Sequence, residues 1–323
     1  MKKALVIGID NYQSCPLYGC VNDAEAMSGM LQRHADGSPN FDVKFVPNVG
    51  NTSELRCLIH ELFNGNGETA LLYFSGHGTL VANSDGYIVA PDYGPGNEGV
   101  SFREILSCAN ESHFRNRVVM LDCCHAGNLS ASRPNDSGAP HIATGVAVIA
   151  ACRSTESAIE RDGHGVVTSL MLEGLRGGAA TVSGEVTPGG LYAFVDRSLG
   201  AWEQRPIFAA NLDSLVNLRS SRRMIPPEIL RKLPIYFSEA TSEYQLDPSY
   251  EDSNCEERIP TVVLPVADAA HVAILKDLQR LESVGIVRPV GEAHMYYAAM
   301  HSKTCELTPL GRHVWNLVSN GRI

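Results

Sequence analysis

What the sequence lacks narrows it first. No uninterrupted apolar run approaches the roughly 18 to 20 residues that cross a bilayer, so no membrane span is expected. Regular cysteine spacing is missing too: nine cysteines, an odd number, are scattered over 323 residues, a length that needs no disulfide staples. That pattern favours reduced thiols, and a cytoplasmic location is expected. There is no excess of positive charge either, since 26 Lys and Arg stand against 36 Asp and Glu, a formal −10. General affinity for nucleic acid is therefore unexpected, although a local basic face is not excluded. No internal repeat is visible. The opening MKKALVIGIDNY is basic and then apolar, as a secretory leader is, but its apolar part is short and Asp10 interrupts it. It reads as a first core strand.

What is present is an alternation of strand and helix patterns over the first two thirds. Strands are expected at Lys3–Gly8, Phe41–Val46, Leu71–Phe74, Val118–Leu121, Val146–Ala151 and Pro206–Ala210, with a short apolar piece at Tyr87–Ala90. Helices are expected at Asn22–His34 (capped from Asn22 or Asp23), Ser53–Phe63, Phe102–Cys108, Val166–Leu175 and Gly190–Ala201. Helices between successive strands imply an α/β fold, a mainly parallel sheet covered on both faces. Residues 1–215 are taken as this domain, and 216–260, rich in proline, as a linker with short helices. Residues 261–323 read as an accessory α+β domain. There Ala267–Val284 reads as one helix or a helix-turn-helix, Ile286–Val290 and Met295–Met300 as strands around Gly291, and Leu307–Val318 as a last helix. This order is similar to a winged helix.

The chemistry lies where two apolar runs break off. LLYFSGHG (71–78) and VVMLDCCHAG (118–127) each end in small residues beside a reactive side chain. Open α/β sheets bind ligands at the carboxyl ends of their strands. Strand alternation turns Cys123 into the packing and leaves Cys124 at the start of the turn. Cys124 as nucleophile, His77 as base, and the amides of Gly78 and Cys124 as an oxyanion hole supply what amide cleavage needs. Either motif alone is more often structural: a buried Cys is a small hydrophobe. A metal site at Cys123, Cys124 and His125 is disfavoured, because adjacent ligands serve one ion awkwardly and no second cluster with ligand spacing is present. His77 and Cys124 lie 47 residues apart, close to the roughly 50 of caspase-type enzymes.

ALVIGIDNY, LYGCVNDAEAM, LLYFSGHG, LDCCHAG and AVIAACRSTESA, in that order, resemble the landmarks of the caspase-like peptidases, and among them the metacaspases. The resemblance covers about residues 1–212. It implies the caspase–hemoglobinase fold, a dyad of Cys124 and His77, and a primary specificity pocket containing Asp23 and Asp122 with Cys20 and Ser75 beside them. Two carboxylates in one pocket suit Arg or Lys, so protein or peptide substrates cut after basic residues are expected. Asp23 has a second reading as a helix cap. Ala126 stands where the family usually has Ser. Many metacaspases bind calcium through an acidic cluster, but only Asp85, Asp92 and scattered others are present here, so no cofactor and no metal is expected. The polar loop Asn128–Pro140 contains Arg133, and in this family the corresponding connection is often processed. Cleavage after Arg133 is expected, with Pro134 counting against it and Arg153 or Arg161 as alternatives.

Two other functions compete: a non-catalytic scaffold on a caspase fold, and a winged-helix DNA-binding regulator. Both dyad residues argue against the first. Residues 261–323 hold six Lys and Arg against five Asp and Glu, too balanced for phosphate contacts. The C-terminal region is therefore expected to dock a regulatory protein partner.

Overall fold

The computed structural model describes residues 1–80, 86–123, 141–151, 160–161, 164–199, 205–221, 223, 225–256 and 262–323. They form two compact units, Met1–Arg222 and Arg223–Ile323.

In the first unit β1 (Lys2–Gly8), α1 (Cys20–Gln32), β2 (Asp42–Pro47), α2 (Thr52–Phe63) and β3 (Asn66–Ser75) come first. A small antiparallel sheet of β4 (Gly78–Leu80), β5 (Gly86–Ile88) and β6 (Val100–Ser101) follows. Then come α3 (Phe102–Glu111), β7 (His113–Asp122), β8 (Val146–Ala150), the short pair β9 (Glu160–Arg161) and β10 (His164–Gly165), and α4 (Val166–Glu173). The unit closes with β11 (Glu185–Val186), α5 (Pro188–Ser198), β12 (Ile207–Asn211) and β13 (Arg219–Ser220), which pairs with β11. The main sheet has the order β12-β8-β7-β3-β1-β2. All its neighbours are parallel except β12, which runs antiparallel to β8.

Alternation sorts the strand side chains onto two buried faces. Leu5, Ile7, Leu72, Phe74, Val119 and Leu121 face α2 and α3. Val6, Tyr73, Val118, Met120 and Ile149 face α1, α4 and α5. At the carboxyl edge Gly8, Ser75 and Asp122 lie in register on β1, β3 and β7. Ser75 and Asp122 thus share the face of Tyr73 and Met120, toward α1 and α4, and Cys123 falls on the other.

α1 begins at Cys20, two residues before the expected start, so neither Asn22 nor Asp23 caps it. The carboxylate of Asp10 does so from the preceding loop, accepting the amides of Cys20 at 2.9 Å and Val21 at 3.3 Å. A distant cap of this kind leaves no mark in the local sequence. α2 likewise begins at Thr52, with Asn51 as its cap.

In the second unit α6 (Pro227–Leu230), α7 (Leu233–Tyr236) and β14 (Glu243–Gln245) precede α8 (Ala269–Ser283), β15 (Val287–Pro289), α9 (Met295–Met300), β16 (Thr304–Leu307) and α10 (Pro309–Ser319). The stretch expected to link the domains is divided between them. Val216 and Leu218 pack into the first unit's core, while β14 pairs with β16 in the second. Met295–Met300 is a helix, correcting the expected strand: Met295, Ala298 and Ala299 are its buried residues, at helical spacing. The strand that pairs with β15 is instead β16, where buried Cys305 and Leu307 alternate with Thr304 and Glu306. The unit is α+β.

A Cβ on Gly8 would lie 2.2 Å from the Cys20 carbonyl oxygen and 2.8 Å from Ala24 Cβ, so α1 rests directly on the end of β1. Gly8→Ala is expected to cost about 1 to 3 kcal/mol. Gly29→Ala, on the exposed side of α1 with nothing within 4 Å, should stabilise by up to about 1 kcal/mol. Urea unfolding read from hydrogen exchange of the β1 amides checks both signs.

Candidate active site

Two loops leaving the carboxyl edge hold His77. Its backbone N–H donates to the Tyr12 hydroxyl at 3.0 Å, and that hydroxyl donates to the Val89 carbonyl at 3.0 Å. The Tyr12 and His77 rings meet edge on, with centroids 4.4 Å apart. Burial pushes the Tyr12 hydroxyl pKa far up, so it remains a donor. His77 Nε2 lies 2.7 Å from the Cys15 carbonyl. A carbonyl only accepts, so Nε2 carries the proton and Nδ1 keeps a lone pair in the neutral ring. Gly78 pairs with Ile88, and the bond from Val89 N–H to the His77 carbonyl at 3.0 Å makes this a non-hydrogen-bonded pair. The Gly78 N–H therefore points away from β5.

Asp23, on the first turns of α1, and Asp122, the last residue of β7, are both buried and converge on Gly165. Gly165 N–H donates to Asp23 Oδ2 at 2.9 Å. A Cβ on Gly165 would lie 2.7 Å from Asp122 Oδ2 and 3.0 Å from Asp23 Oδ2. Only glycine admits both carboxylates there. Ser75 is buried beside Asp122, and Cys20 is buried at the start of α1. Thr168 and Tyr73 complete the cluster, and neither is singled out by sequence reasoning.

Cys123 is fully buried among Ile7, Ile9, Leu121 and their neighbours, as alternation expects. Cys124, His125, Ala126, the loop with Arg133, Asp85 and Arg153 lie outside the described residues, as does the side chain of Arg161. Asp92 accepts the Thr52 amide and hydroxyl, each at 2.8 Å. Burial raises its pKa, but these bonds outweigh that and leave it lowered. Among the described residues no three His, Cys, Asp or Glu side chains are grouped to hold a metal.

A profile described as the caspase domain matches residues 1–215, two thirds of the chain. The chain belongs to the caspase domain family. Among solved structures its fold is similar to protein GSU0716 from Geobacter sulfurreducens, at 15% identity and a TM-score of 0.52, over 68% of this chain and 99% of that one. It is also similar to caspase-1 from Spodoptera frugiperda, at 13% identity and a TM-score of 0.50, over 68% and 90%. No curated protein matches. Both likenesses concern the fold.

Outside the carboxyl edge of this caspase domain, a cavity of about 560 Å³ opens between α2 and α3 at the opposite edge of the sheet, lined by His60, Glu104 and Cys108. Burial, then Glu104 and Glu111, push the Cys108 thiol up to about 11, so it offers little thiolate there. In the second unit Lys232 pairs with Asp277, Lys276 with Asp252, and both Arg288 and Arg312 with Glu306. These four cations are neutralised within the unit. Among the described residues no helix is long and apolar enough to cross a membrane.

These burials set thiol reactivity. Among the described cysteines, iodoacetamide at pH 7.5 should label exposed Cys15 and Cys57 first and spare Cys20, Cys123 and Cys305 in the folded protein. The Cys108 rate should climb about tenfold per pH unit until about pH 11, because its thiolate fraction does. Peptide mass spectrometry after timed labelling reads both.

Proposed function

We propose that the chain is a metacaspase-type cysteine endopeptidase that cuts proteins after Arg or Lys with a Cys124/His77 dyad. The register of β3 and β7 carries the reading. Ser75 is paired with Asp122, and Gly76 N–H reaches the Asp122 carbonyl at 3.3 Å. In sequence, His77 and Cys124 each follow by two residues the ends of these adjacent parallel strands.

With Nε2–H held on the Cys15 carbonyl, Nδ1 is the nitrogen that takes the Cys124 proton. The thiolate then attacks the scissile carbonyl, and the oxyanion is met by the amides of Gly78 and Cys124. As the C–N bond breaks, the imidazolium returns the proton to the leaving amine. Water hydrolyses the thioester with Nδ1 again as base. Tyr12 holds the His77 backbone still through these transfers. Asp23 and Asp122, meeting over Gly165, are complementary to one cationic side chain and would repel an acidic one. The family match to a caspase domain is consistent with this chemistry. A reducing, cytoplasmic setting belongs to the same proposal, as does docking of a regulatory protein by the C-terminal unit; the six cations and five acids of residues 261–323 speak against nucleic acid.

The test compares matched Arg, Lys and Asp peptides on the parent and three variants. Cys124→Ala and His77→Ala should each lower kcat by at least about 100-fold, and Cys123→Ala should keep substantial activity. Hydrolysis after Arg and Lys but not Asp is expected. Preference for Asp would sink the pocket, and a dead, folded Cys123→Ala would sink the nucleophile.

Processing after Arg133 extends the proposal. The residues that return from that loop are pinned to the core: Asn110 bonds His141 and Ala143, Asn211 bonds the Ile142 carbonyl at 3.0 Å, and Arg117 bonds the Thr144 carbonyl at 2.9 Å. A cut upstream of them leaves both sheet halves in place. Intact-mass analysis should find two associated fragments in active protein and one chain in Cys124→Ala. Full activity from an uncut chain, or indifference to Arg133→Ala, would dismiss the switch.

A further inference from the structure

The hydroxyls of Tyr73 and Thr168 take no part in the reaction as described, yet both are fully buried in line with Asp122. A carboxylate oxygen accepts, so Thr168 Oγ1 donates to Asp122 Oδ2, at 2.5 Å. With that proton committed, Thr168 accepts from the Tyr73 O–H at 2.6 Å. The chain has one direction: Tyr73 on β3, Thr168 on α4, Asp122 on β7. Burial, then the charges of Asp122 and Asp23, push the Tyr73 hydroxyl pKa far above its ordinary value, so it stays protonated and donating. Opposite, the Gly165 amide fixes Asp23 Oδ2.

We propose that the Tyr73–Thr168 chain is a positioning device, holding the Asp122 carboxylate in the orientation that, with Asp23, reads a guanidinium in preference to an ammonium. This rests on the proposed basic specificity. An aspartate carboxylate turns easily about its terminal bond, where the torsional wells are broad. An ammonium is a compact charge that tolerates such turning. A planar guanidinium needs acceptor oxygens lying in the plane of its fork. Fixing the carboxylate therefore favours Arg and does little for Lys. Thr168 and Tyr73 act on the substrate only through Asp122.

Steady-state kinetics on matched Arg and Lys peptides, with melting temperatures as a control for folding, test this. Thr168→Val keeps the shape and removes the hydroxyl. It should raise KM for the Arg peptide about tenfold, the scale of a hydrogen bond to a charged group, with kcat lowered less than about twofold and KM for Lys raised less than about threefold. Thr168→Ser should restore the Arg preference, and Tyr73→Phe should fall between. An equal rise for both peptides, or a loss confined to kcat, would overturn the assignment. Calorimetric binding of butylguanidine and butylamine needs no turnover. If no peptide is cut but butylguanidine binds at least about tenfold more weakly to Thr168→Val, the peptidase reading fails and the positioning role stands. If Thr168→Val binds both compounds as the parent does, the positioning role fails even where peptides are cut after Arg.

Discussion

Three parallel strands end level, and the candidate site depends on that edge. Gly8, Ser75 and Asp122 are in register across β1, β3 and β7. Because side chains alternate, this register also decides which way each terminal residue faces: Asp122 toward α1 and α4, Cys123 into the opposite core. A slip of one residue in β7 would bury the carboxylate among Ile7 and Ile9 and turn the thiol toward Asp23. The same edge seats α1. With no side chain on Gly8, the Cys20 carbonyl comes to rest on the end of β1, and Asp23, one helical turn further on, arrives over Gly165 opposite Asp122.

The loop between β1 and α1 fastens the arrangement through three polar groups close together in sequence. The Asp10 carboxylate closes the open amides of α1, the Tyr12 hydroxyl bridges the His77 amide and the Val89 carbonyl, and the Cys15 carbonyl receives His77 Nε2. Asn48 steadies the loop from β2's side, its side-chain oxygen accepting the amides of Asp10 and Asn11. Each contact is a neutral or charge-assisted bond to backbone, where the geometry is most rigid. The orientation of the histidine is thereby set by the same segment that seats the helix carrying Asp23. His77 and the start of α1 are thus tied to one loop.

Much of this was legible in the sequence. Apolar runs such as LLYF and VVML bury both faces and identify β3 and β7 without help from tertiary structure, and the small residues after them mark the edge. Less legible was whatever depends on distant partners. The start of α1 was missed because its cap is Asp10, ten residues upstream of Cys20. The 295–300 segment, MYYAAM, offers only one helical turn and a half, too short for its period to be read with certainty, and the structure settles it by burying Met295, Ala298 and Ala299. β14 escaped notice because three mostly polar residues, Glu243–Gln245, form a strand only when β16 supplies the ladder. Thr168 and Tyr73 look like ordinary residues of a helix and a strand until the fold brings their hydroxyls into one line.

That line bears on why the carboxylates are where they are. Two buried like charges meeting over a single α-carbon are unfavourable in any state that lacks a cation at that point. Core packing alone would favour apolar residues at positions 23 and 122. The surrounding groups aim donors at both carboxylates: a hydroxyl chain at Asp122 and a backbone amide at Asp23, which also stands early in α1, where the helix dipole favours negative charge. In the proposed reading, donors aimed at buried carboxylates serve binding more than they serve the fold. Under the proposed basic specificity, these donors ready the site for a cation, and the orientation of Asp122 would decide which cation fits it best.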